Sequence, residues 1–299
     1  MIGRFAPSPT GALHLGALRT ALVAWLMART AGSEFLVRIE DLDPQRSRRE
    51  LEASQLADLA ALGIDFDGVP VRQSERLDRY ERALAELQGD GRLYPCFCTR
   101  AEIRAAASAP HGDLPEGAYP GTCRTIGAGE RRARLAAGER HALRVDAGGA
   151  GRIRVSFEDR LLGPQAAVVD DFVVRRADGV PAYQLAVVVD DAAQGIEEVV
   201  RGADLADSTP RQILLARWLQ LPVPRHAHVG LVLGADGARL AKRHGAATLA
   251  DRDEPAGVTL ALLAHSLGLA RGRDSVASAA ELLGEFDPDA LPRGPVTLG

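Results

Sequence analysis

Residues 4–16 decide the fold: they read RFAPSPTGALHLG and join the end of a short apolar strand to the beginning of a helix. Gly11 and Gly16 let backbone N–H groups approach a ligand, and the helix N-terminus near His14 favours negative charge. The imidazole of His14 can also donate a hydrogen bond to a phosphate. The segment therefore predicts a nucleotide-binding loop, although a Pro/Gly turn before an ordinary helix uses the same residue types.

Beyond this loop, strands alternate with helices, which is the pattern of a parallel sheet with helical crossovers. Turn and cap residues predict the element ends: Ser47 and Glu50 form a capping box, Gly32 and Gly63 end helices, and Thr209-Pro210 begins one. We expect, in chain order, a strand at 2–5, a helix at 15–28, a strand at 35–39, a helix at 51–62, a helix at 75–87, a strand at 166–169, strands at 172–176 and 180–183 around a turn at 177–179, a strand at 197–201 and a helix at 209–219.

The middle of the chain differs in composition. From Tyr94 to about Gly151 it is rich in Gly, Pro, Ala and Arg and has weak periodicity, which indicates an insertion into the sheet. We expect an α/β fold, with a Rossmann-type nucleotide-binding parallel sheet. Its parts are the first half of the core at 1–92, the insertion at 93–165, the second half of the core at 166–235, and a basic loop with a small C-terminal helical segment at 236–299.

Composition limits the class of protein. The chain has 299 residues, of which 46% are hydrophobic and 25% are charged, and it contains no run near the roughly 18 apolar residues that a membrane span needs. We therefore expect a soluble cytoplasmic protein, without membrane or DNA as partner. The net charge of −4 argues against indiscriminate binding to nucleic acid. Any RNA must meet local basic patches, such as Arg131, Arg132 and Arg134.

Almost all positively charged side chains of this protein are arginines. Among 36 Lys and Arg residues, Lys242 is the single lysine. A coding bias explains the arginines but not the exception. A compact, flexible ammonium can follow a phosphate through a reaction, so Lys242, within the basic run Arg239 to Gly245, is a candidate for chemistry. A solvated charge run is the alternative for this loop.

Three cysteines cannot all pair as disulfides. Cys96 and Cys98 lie on a tight turn, and Cys123 can close a tetrahedral metal site across the insertion, for which soft ligands suggest zinc. His111 is the conventional fourth ligand and Tyr119 the unusual one, and spacing alone does not choose between them. Unconnected reduced cysteines are the other interpretation.

Charged residues also gather at predicted strand ends, where ligand-contacting residues of open parallel sheets lie. Glu40 follows a central strand and can hold an ammonium group. Arg201 ends another strand and can bind a carboxylate with its guanidinium fork, and Tyr183 lies upstream of it. Each of these residues taken alone could equally form a surface ion pair.

Several ordered segments together carry a family resemblance. Residues 4–16 resemble the HIGH signature of class I aminoacyl-tRNA synthetases, with His14-Leu15-Gly16-Ala17 lacking the second histidine. Residues 239–243 stand at the KMSKS position and read RLAKR, so only the second lysine remains. With residues 38–44, 170–191 and 200–214, the order of motifs resembles glutamyl-tRNA synthetases along nearly the whole chain.

This resemblance implies a reaction and its residues. Glutamate would attack the α-phosphate of ATP, with Mg2+, to form glutamyl-adenylate, and no general base for the following transfer can be named. His14 and Lys242 would act as catalytic residues on the phosphates. The implied glutamate-binding residues are Arg4, Ser8, Glu40, Tyr183 and Arg201. The implied ATP-binding residues are His14, Gly16, Asp204 and Lys242. The implied ligands of one zinc ion per chain are Cys96, Cys98, Tyr119 and Cys123.

The chain ends soon after the KMSKS position, and we expect no helical anticodon-binding domain to follow. That feature and the cysteine set resemble the branch of the family that attaches glutamate to the queuosine base in the anticodon of tRNA(Asp). The expected partners are ATP, L-glutamate and queuosine-containing tRNA(Asp), with the protein acting as a monomer. A shortened glutamyl-tRNA synthetase that charges a 3′ end and a non-catalytic RNA-binding relative are the alternatives.

Overall fold

The computed structural model describes residues 1–99, 101–103, 119–148, 153–234, 236–238, 240, 248–269, 276 and 278–298. Lys242, His111, Arg239, Ala241 and Arg243 lie outside these residues. The helices are α1 Leu15–Thr30, α2 Arg49–Ala61, α3 Leu77–Gly89, α4 Ala128–Ala136, α5 Tyr183–Ala193, α6 Thr209–Trp218 and α7 Ala256–Ser266. The strands are β1 Gly3–Phe5, β2 Phe35–Ile39, β3 Val71–Arg72, β4 Leu93–Cys96, β5 Ala142–Val145, β6 Arg154–Asp159, β7 Gly163–Val168, β8 Val173–Arg175, β9 Glu198–Gly202, β10 Arg225–Val229, β11 Val232–Leu233 and β12 Val296–Thr297. In the described part of the chain, no helix has the length and apolar character to cross a membrane.

A seven-stranded sheet in the order β3-β2-β1-β9-β10-β6-β7 forms the centre of the fold. Every neighbouring pair from β3 to β6 is parallel, and β7 joins the edge antiparallel to β6. One buried apolar cluster surrounds α1 and α7, and a second surrounds α5 and α6. The predicted α/β fold with a mostly parallel central sheet is confirmed.

Helix α1, which the sequence predicts at 15–28, is buried along most of its length. It ends where expected, because Gly32 has φ of +63°, a conformation that favours glycine. Inside the protein, Arg19 donates to the carbonyl oxygens of Gly230 and Ser266 at 3.0 and 3.2 Å, and burial lowers its pKa to about 10. Arg19 thus ties α1 to α7 and to the segment that follows β10.

Two local predictions need correction. The capping box at Ser47 is wrong: Arg48 precedes α2, no side chain caps the helix, and the Ser47 hydroxyl has no hydrogen-bond partner. The reason is that the Ser47 N–H still bonds to the carbonyl of Asp43, in the turn before the helix. The strand predicted at 180–183 shrinks to one bridge between Arg175 and Pro181, because Tyr183 already begins α5.

The predicted insertion contains the helix α4 and the strands β4 and β5, which form a small antiparallel sheet with β8 from outside the range 93–165. The segment also contributes outside itself, since β6 lies within the range 93–165 and pairs with β10 of the central sheet. The division of the chain into four segments stays a prediction.

Gly230 lies against the C-terminal segment, and its substitution tests how tightly that segment is packed. A Cβ atom at Gly230 would lie 2.0 Å from the backbone oxygen of Gly294, just before β12 pairs with β11. We predict that Gly230→Ala lowers the free energy of unfolding by about 1–3 kcal/mol or more, because backbone must shift to admit the methyl group. Gly257→Ala is the control, since no heavy atom lies within 4 Å of its Cβ position. Equal urea midpoints for wild type and Gly230→Ala would contradict this packing.

Candidate functional site

A cavity of about 550 Å³ opens at the carboxyl ends of β1, β2, β9 and β10, where parallel sheets bind their ligands. Nearly all the residues predicted to bind glutamate and ATP line this one cavity. They are Arg4, Ser8, His14, Gly16, Glu40, Tyr183, Arg201 and Asp204. The structure therefore brings together every predicted residue of these two sets that it describes, and Lys242 is the member outside the described residues.

His14 is the N-cap residue of α1, and a hydrogen bond to the first turn of that helix orients its ring. Its Nδ1 accepts the backbone N–H of Ala17 at 3.1 Å, so the neutral ring carries its proton on Nε2. Gly16 makes this possible, because a Cβ there would lie 3.1 Å from Nδ1. The spacing of histidine and glycine in the motif thus has a steric cause.

The described residues on either side of the basic loop also meet the cavity. Thr248 forms a β-bridge with His14, and the N–H of Leu240 donates to the carbonyl oxygen of Val232 at 2.9 Å. Val232 and His14 both line the cavity. Leu240 and Thr248, which flank most of the basic loop, therefore lie beside the site.

Arg201 is the most unusual charge in the cavity wall, since its side chain is buried but no carboxylate lies within 4 Å in the described ranges. Four of its N–H donors bond to neutral groups instead. These are His228 Nε2 at 3.0 Å, Tyr183 Oη at 3.2 Å, Gln212 Oε1 at 2.8 Å and Thr209 Oγ1 at 2.7 Å. Burial lowers the pKa of Arg201. An incoming carboxylate would supply the missing counter-charge.

Arg4, a second arginine in the cavity wall, forms an ion pair with the buried carboxylate of Asp191. Arg4 Nε and Arg38 Nη1 both donate to Asp191 Oδ1, at 3.2 and 2.6 Å. Burial alone would raise the pKa of Asp191, but the guanidinium groups of Arg38 and Arg4 hold it below its usual range. Arg38 also donates to Glu40 Oε1 at 3.3 Å, while burial raises the pKa of Glu40. The cavity wall thus presents the carboxylate of Glu40 together with the guanidinium groups of Arg4 and Arg201.

A second cavity of about 630 Å³ shares part of this wall. Ser8, Glu40 and Tyr183 line both spaces. Its other side is built by the small antiparallel sheet and the turn after β8, and its charged residues are Arg140, Arg144, Arg176, Asp43 and Asp178, of which Arg176 and Asp178 form an ion pair. A ligand in the first cavity can therefore be approached from two directions.

The predicted metal ligands lie together in the insertion. The Sγ atoms of Cys96, Cys98 and Cys123 all lie within 4.8 Å of one another. The phenol oxygen of Tyr119 lies 3.4 Å from Cys98 Sγ and accepts the backbone N–H of Cys123 at 2.7 Å. Burial raises the pKa of the Cys98 thiol to about 12. His111 falls outside the described residues, so the structure places Tyr119 but not its alternative.

The arginines named from sequence as an RNA-binding patch have other partners. Arg131 Nη2 donates to the carbonyl oxygen of Arg124 at 3.1 Å, in the turn that follows Cys123. Arg134 lies 4.2 Å from the centre of the Phe97 ring and pairs with Glu139. Two of the three side chains therefore hold the insertion together, and Arg132 is the exposed one.

Sequence reasoning missed the groups behind Arg201. Thr209 and Gln212 come from the start of α6, and His228 comes from β10. The buried strand that reads RHAHV carries two histidines two positions apart, on one face of the sheet. That repeat was a signal that sequence reasoning could have used, although only the fold shows that the second histidine reaches Arg201.

The comparisons agree with this geometry. Residues 1–289 match the family model "tRNA synthetases class I (E and Q), catalytic domain". A "Glutamyl-Q tRNA(Asp) synthetase" of Nocardia farcinica is 56% identical, covering 98% of this chain and 91% of that protein. A "Glutamate--tRNA ligase" of Oleidesulfovibrio alaskensis is 42% identical, covering 98% of this chain but 62% of the longer protein.

Among solved structures, a glutamate tRNA ligase from Elizabethkingia meningosepticum, crystallised in complex with its amino acid, has a TM-score of 0.85. It is 26% identical, and the likeness covers all of this chain and 67% of the other. The resemblance inferred from the ordered motifs is confirmed. A nucleotide-type loop, a buried arginine facing a cavity and a match over nearly the whole length agree: the chain belongs to the class I tRNA synthetases for glutamate and glutamine.

Proposed function

We propose that this protein activates L-glutamate with ATP in the absence of tRNA and then transfers the glutamate to the queuosine base in the anticodon of tRNA(Asp). The observation that carries the proposal is the similarity, over almost the full length, to relatives named for this activity, at up to 56% identity. The charged and polar residues that line the cavity also support the proposal, because their chemistry suits glutamate and ATP.

Glutamate needs partners for two carboxylates and one ammonium group. Arg201 would bind the side-chain carboxylate, because it is a buried cation without a carboxylate partner among the described residues. Glu40 would hold the ammonium group, with Tyr183 and Ser8 beside it. Arg4, fixed by Asp191, adds positive charge near the α-carboxylate. Glutamine would leave Arg201 without its counter-charge, so glutamate is preferred.

ATP would occupy the part of the cavity near the start of α1. His14, with its proton on Nε2, Gly16 and Asp204 line this part. Magnesium would arrive bound to the phosphates, as it usually does in nucleotide sites. A glutamate α-carboxylate oxygen attacks the α-phosphorus, and the bond to the pyrophosphate oxygen breaks. The protein positions the groups and stabilises the developing charge, in which Lys242 is proposed to share.

The second cavity would admit the acceptor. A hydroxyl of the modified base attacks the carbonyl carbon of the adenylate, the bond to AMP breaks, and AMP leaves with the electron pair. The shared wall of Ser8, Glu40 and Tyr183 lies where the activated glutamate would meet an acceptor that enters through the second cavity. The arginines there suit a polyanionic RNA.

A transfer assay with labelled glutamate tests this function. We predict transfer to tRNA(Asp) that carries queuosine, unchanged when the 3′-terminal adenosine has been removed, because the acceptor is the base. Matched tRNA(Asp) with unmodified guanosine should accept no glutamate. The similarity to a glutamate–tRNA ligase favours one rival, charging of a 3′ end. Transfer that disappears with the terminal adenosine, or efficient charging of unmodified tRNA(Glu), would establish that rival.

We also propose one zinc ion per chain at Cys96, Cys98, Cys123 and Tyr119. Zinc–sulfur bonds of about 2.3 Å place tetrahedral ligands roughly 4 Å apart, which the three thiols already approach. Tyr119 is held in position, since the guanidinium carbon of Arg144 lies 3.9 Å from the centre of its ring. The ion would be structural, and it would fix the insertion that borders the second cavity.

Elemental analysis tests the zinc site. We predict about one zinc per chain in protein purified without chelator, and none in a Cys96→Ser, Cys98→Ser double variant, whose insertion should become protease-sensitive. Tyr119→Phe removes the fourth ligand and should weaken zinc retention against a chelator. A zinc content of the double variant equal to that of the wild type would place the metal elsewhere, and metal-free wild type would refute the site.

A further inference from the structure

We propose that Asp159 and His228 form a positioning pair that holds Arg201 in its glutamate-binding orientation by keeping one imidazole nitrogen unprotonated. This inference rests on the proposed role of Arg201 as the ligand of the glutamate side chain. It assigns a function to two buried groups that take no direct part in the adenylation chemistry.

The donor chemistry of arginine determines the state of His228. A guanidinium can only donate, so the Nε–H of Arg201 requires an acceptor, and His228 Nε2 lies 3.0 Å from Arg201 Nε. The same nitrogen lies 3.3 Å from Thr209 Oγ1, which accepts from Arg201 Nη2 at 2.7 Å. Arg201, Thr209 and His228 therefore close a ring of hydrogen bonds that works only when His228 Nε2 carries no proton.

Asp159 selects that tautomer. Its Oδ2 lies 2.5 Å from His228 Nδ1, so the ring proton belongs on Nδ1 and points at the carboxylate. Its Oδ1 accepts three backbone N–H groups, those of His228, Leu161 and Leu162, at 3.1, 3.1 and 2.9 Å. Both side chains are fully buried, so bulk solvent does not compete for these hydrogen bonds.

The backbone contacts make Asp159 hard to replace. An asparagine at this position keeps its oxygen toward the three N–H donors and therefore turns its amide nitrogen toward His228 Nδ1. The imidazole would then carry its proton on Nε2 and present it to the Nε–H of Arg201, 3.0 Å away between the heavy atoms. Two donors would face each other, and Arg201 would leave its position.

We predict that Asp159→Asn raises the KM for glutamate in ATP–pyrophosphate exchange by about tenfold or more, the effect of one lost buried hydrogen bond to a charge, with the KM for ATP within about twofold. His228→Asn should behave alike, because its short side chain cannot reach Arg201. His228→Gln supplies an acceptor oxygen and should keep the glutamate KM near that of the wild type. In the double variant with His228→Gln, Asp159→Asn should have no further effect, because no ring remains to change tautomer.

His226→Gln is the control, since this ring stacks on His228 at 6.2 Å between centroids but is not among the described hydrogen-bond partners of Arg201. Nitrogen-15 spectra of histidine-labelled protein should show the proton of His228 on Nδ1 in the wild type and on Nε2 in Asp159→Asn.

Arg201→Ala separates the two hypotheses. A raised glutamate KM in Arg201→Ala together with an unchanged KM in folded Asp159→Asn would overturn the positioning pair. An unchanged glutamate KM in Arg201→Ala itself would overturn the proposed role of Arg201. An unaltered tautomer in Asp159→Asn would also contradict the pair.

Discussion

Burying the Arg201 guanidinium with no carboxylate within 4 Å among the described residues is the constraint on which the site depends. A buried charge is destabilising unless it is hydrogen-bonded, and here four described neutral groups accept from it. These groups come from α5, α6 and β10, so the orientation of one side chain requires the packing of three elements. The arrangement suits the binding of an anion, whose charge would balance that of Arg201, and this is the basis of the proposed glutamate site.

The parallel sheet explains why the remaining groups meet at the same place. Arg4, Glu40 and Arg201 lie at or just after the carboxyl ends of β1, β2 and β9, and neighbouring parallel strands end at one edge. Helix α1 begins at that edge as well, so His14 and the positive end of the helix also line the cavity. In the proposed function, glutamate would therefore lie near the strand ends and ATP near the start of α1, within one cavity.

Sequence patterns predicted Arg4, Glu40, Arg201 and His14 as site residues because each of them lies in a short local motif. The loop at 4–16, the strand ends and the cysteine spacing each identify side chains by type and position. The groups behind Arg201 escaped such reasoning: Asp159 and His228 are distant from it in sequence, and neither the histidine repeat of β10 nor the residue type of Gln212 shows by itself that these side chains lie near the guanidinium. The capping box failed for a related reason: Ser47 has the right residue type, but the preceding turn had already taken its backbone N–H.

The measurement that tests the central claim most directly is ATP–pyrophosphate exchange by the wild-type protein without RNA, compared between glutamate and glutamine. A cavity whose buried arginine and nucleotide subsite are preformed should support exchange with glutamate alone. Exchange that proceeds equally with glutamine, or that requires added tRNA, would contradict this account.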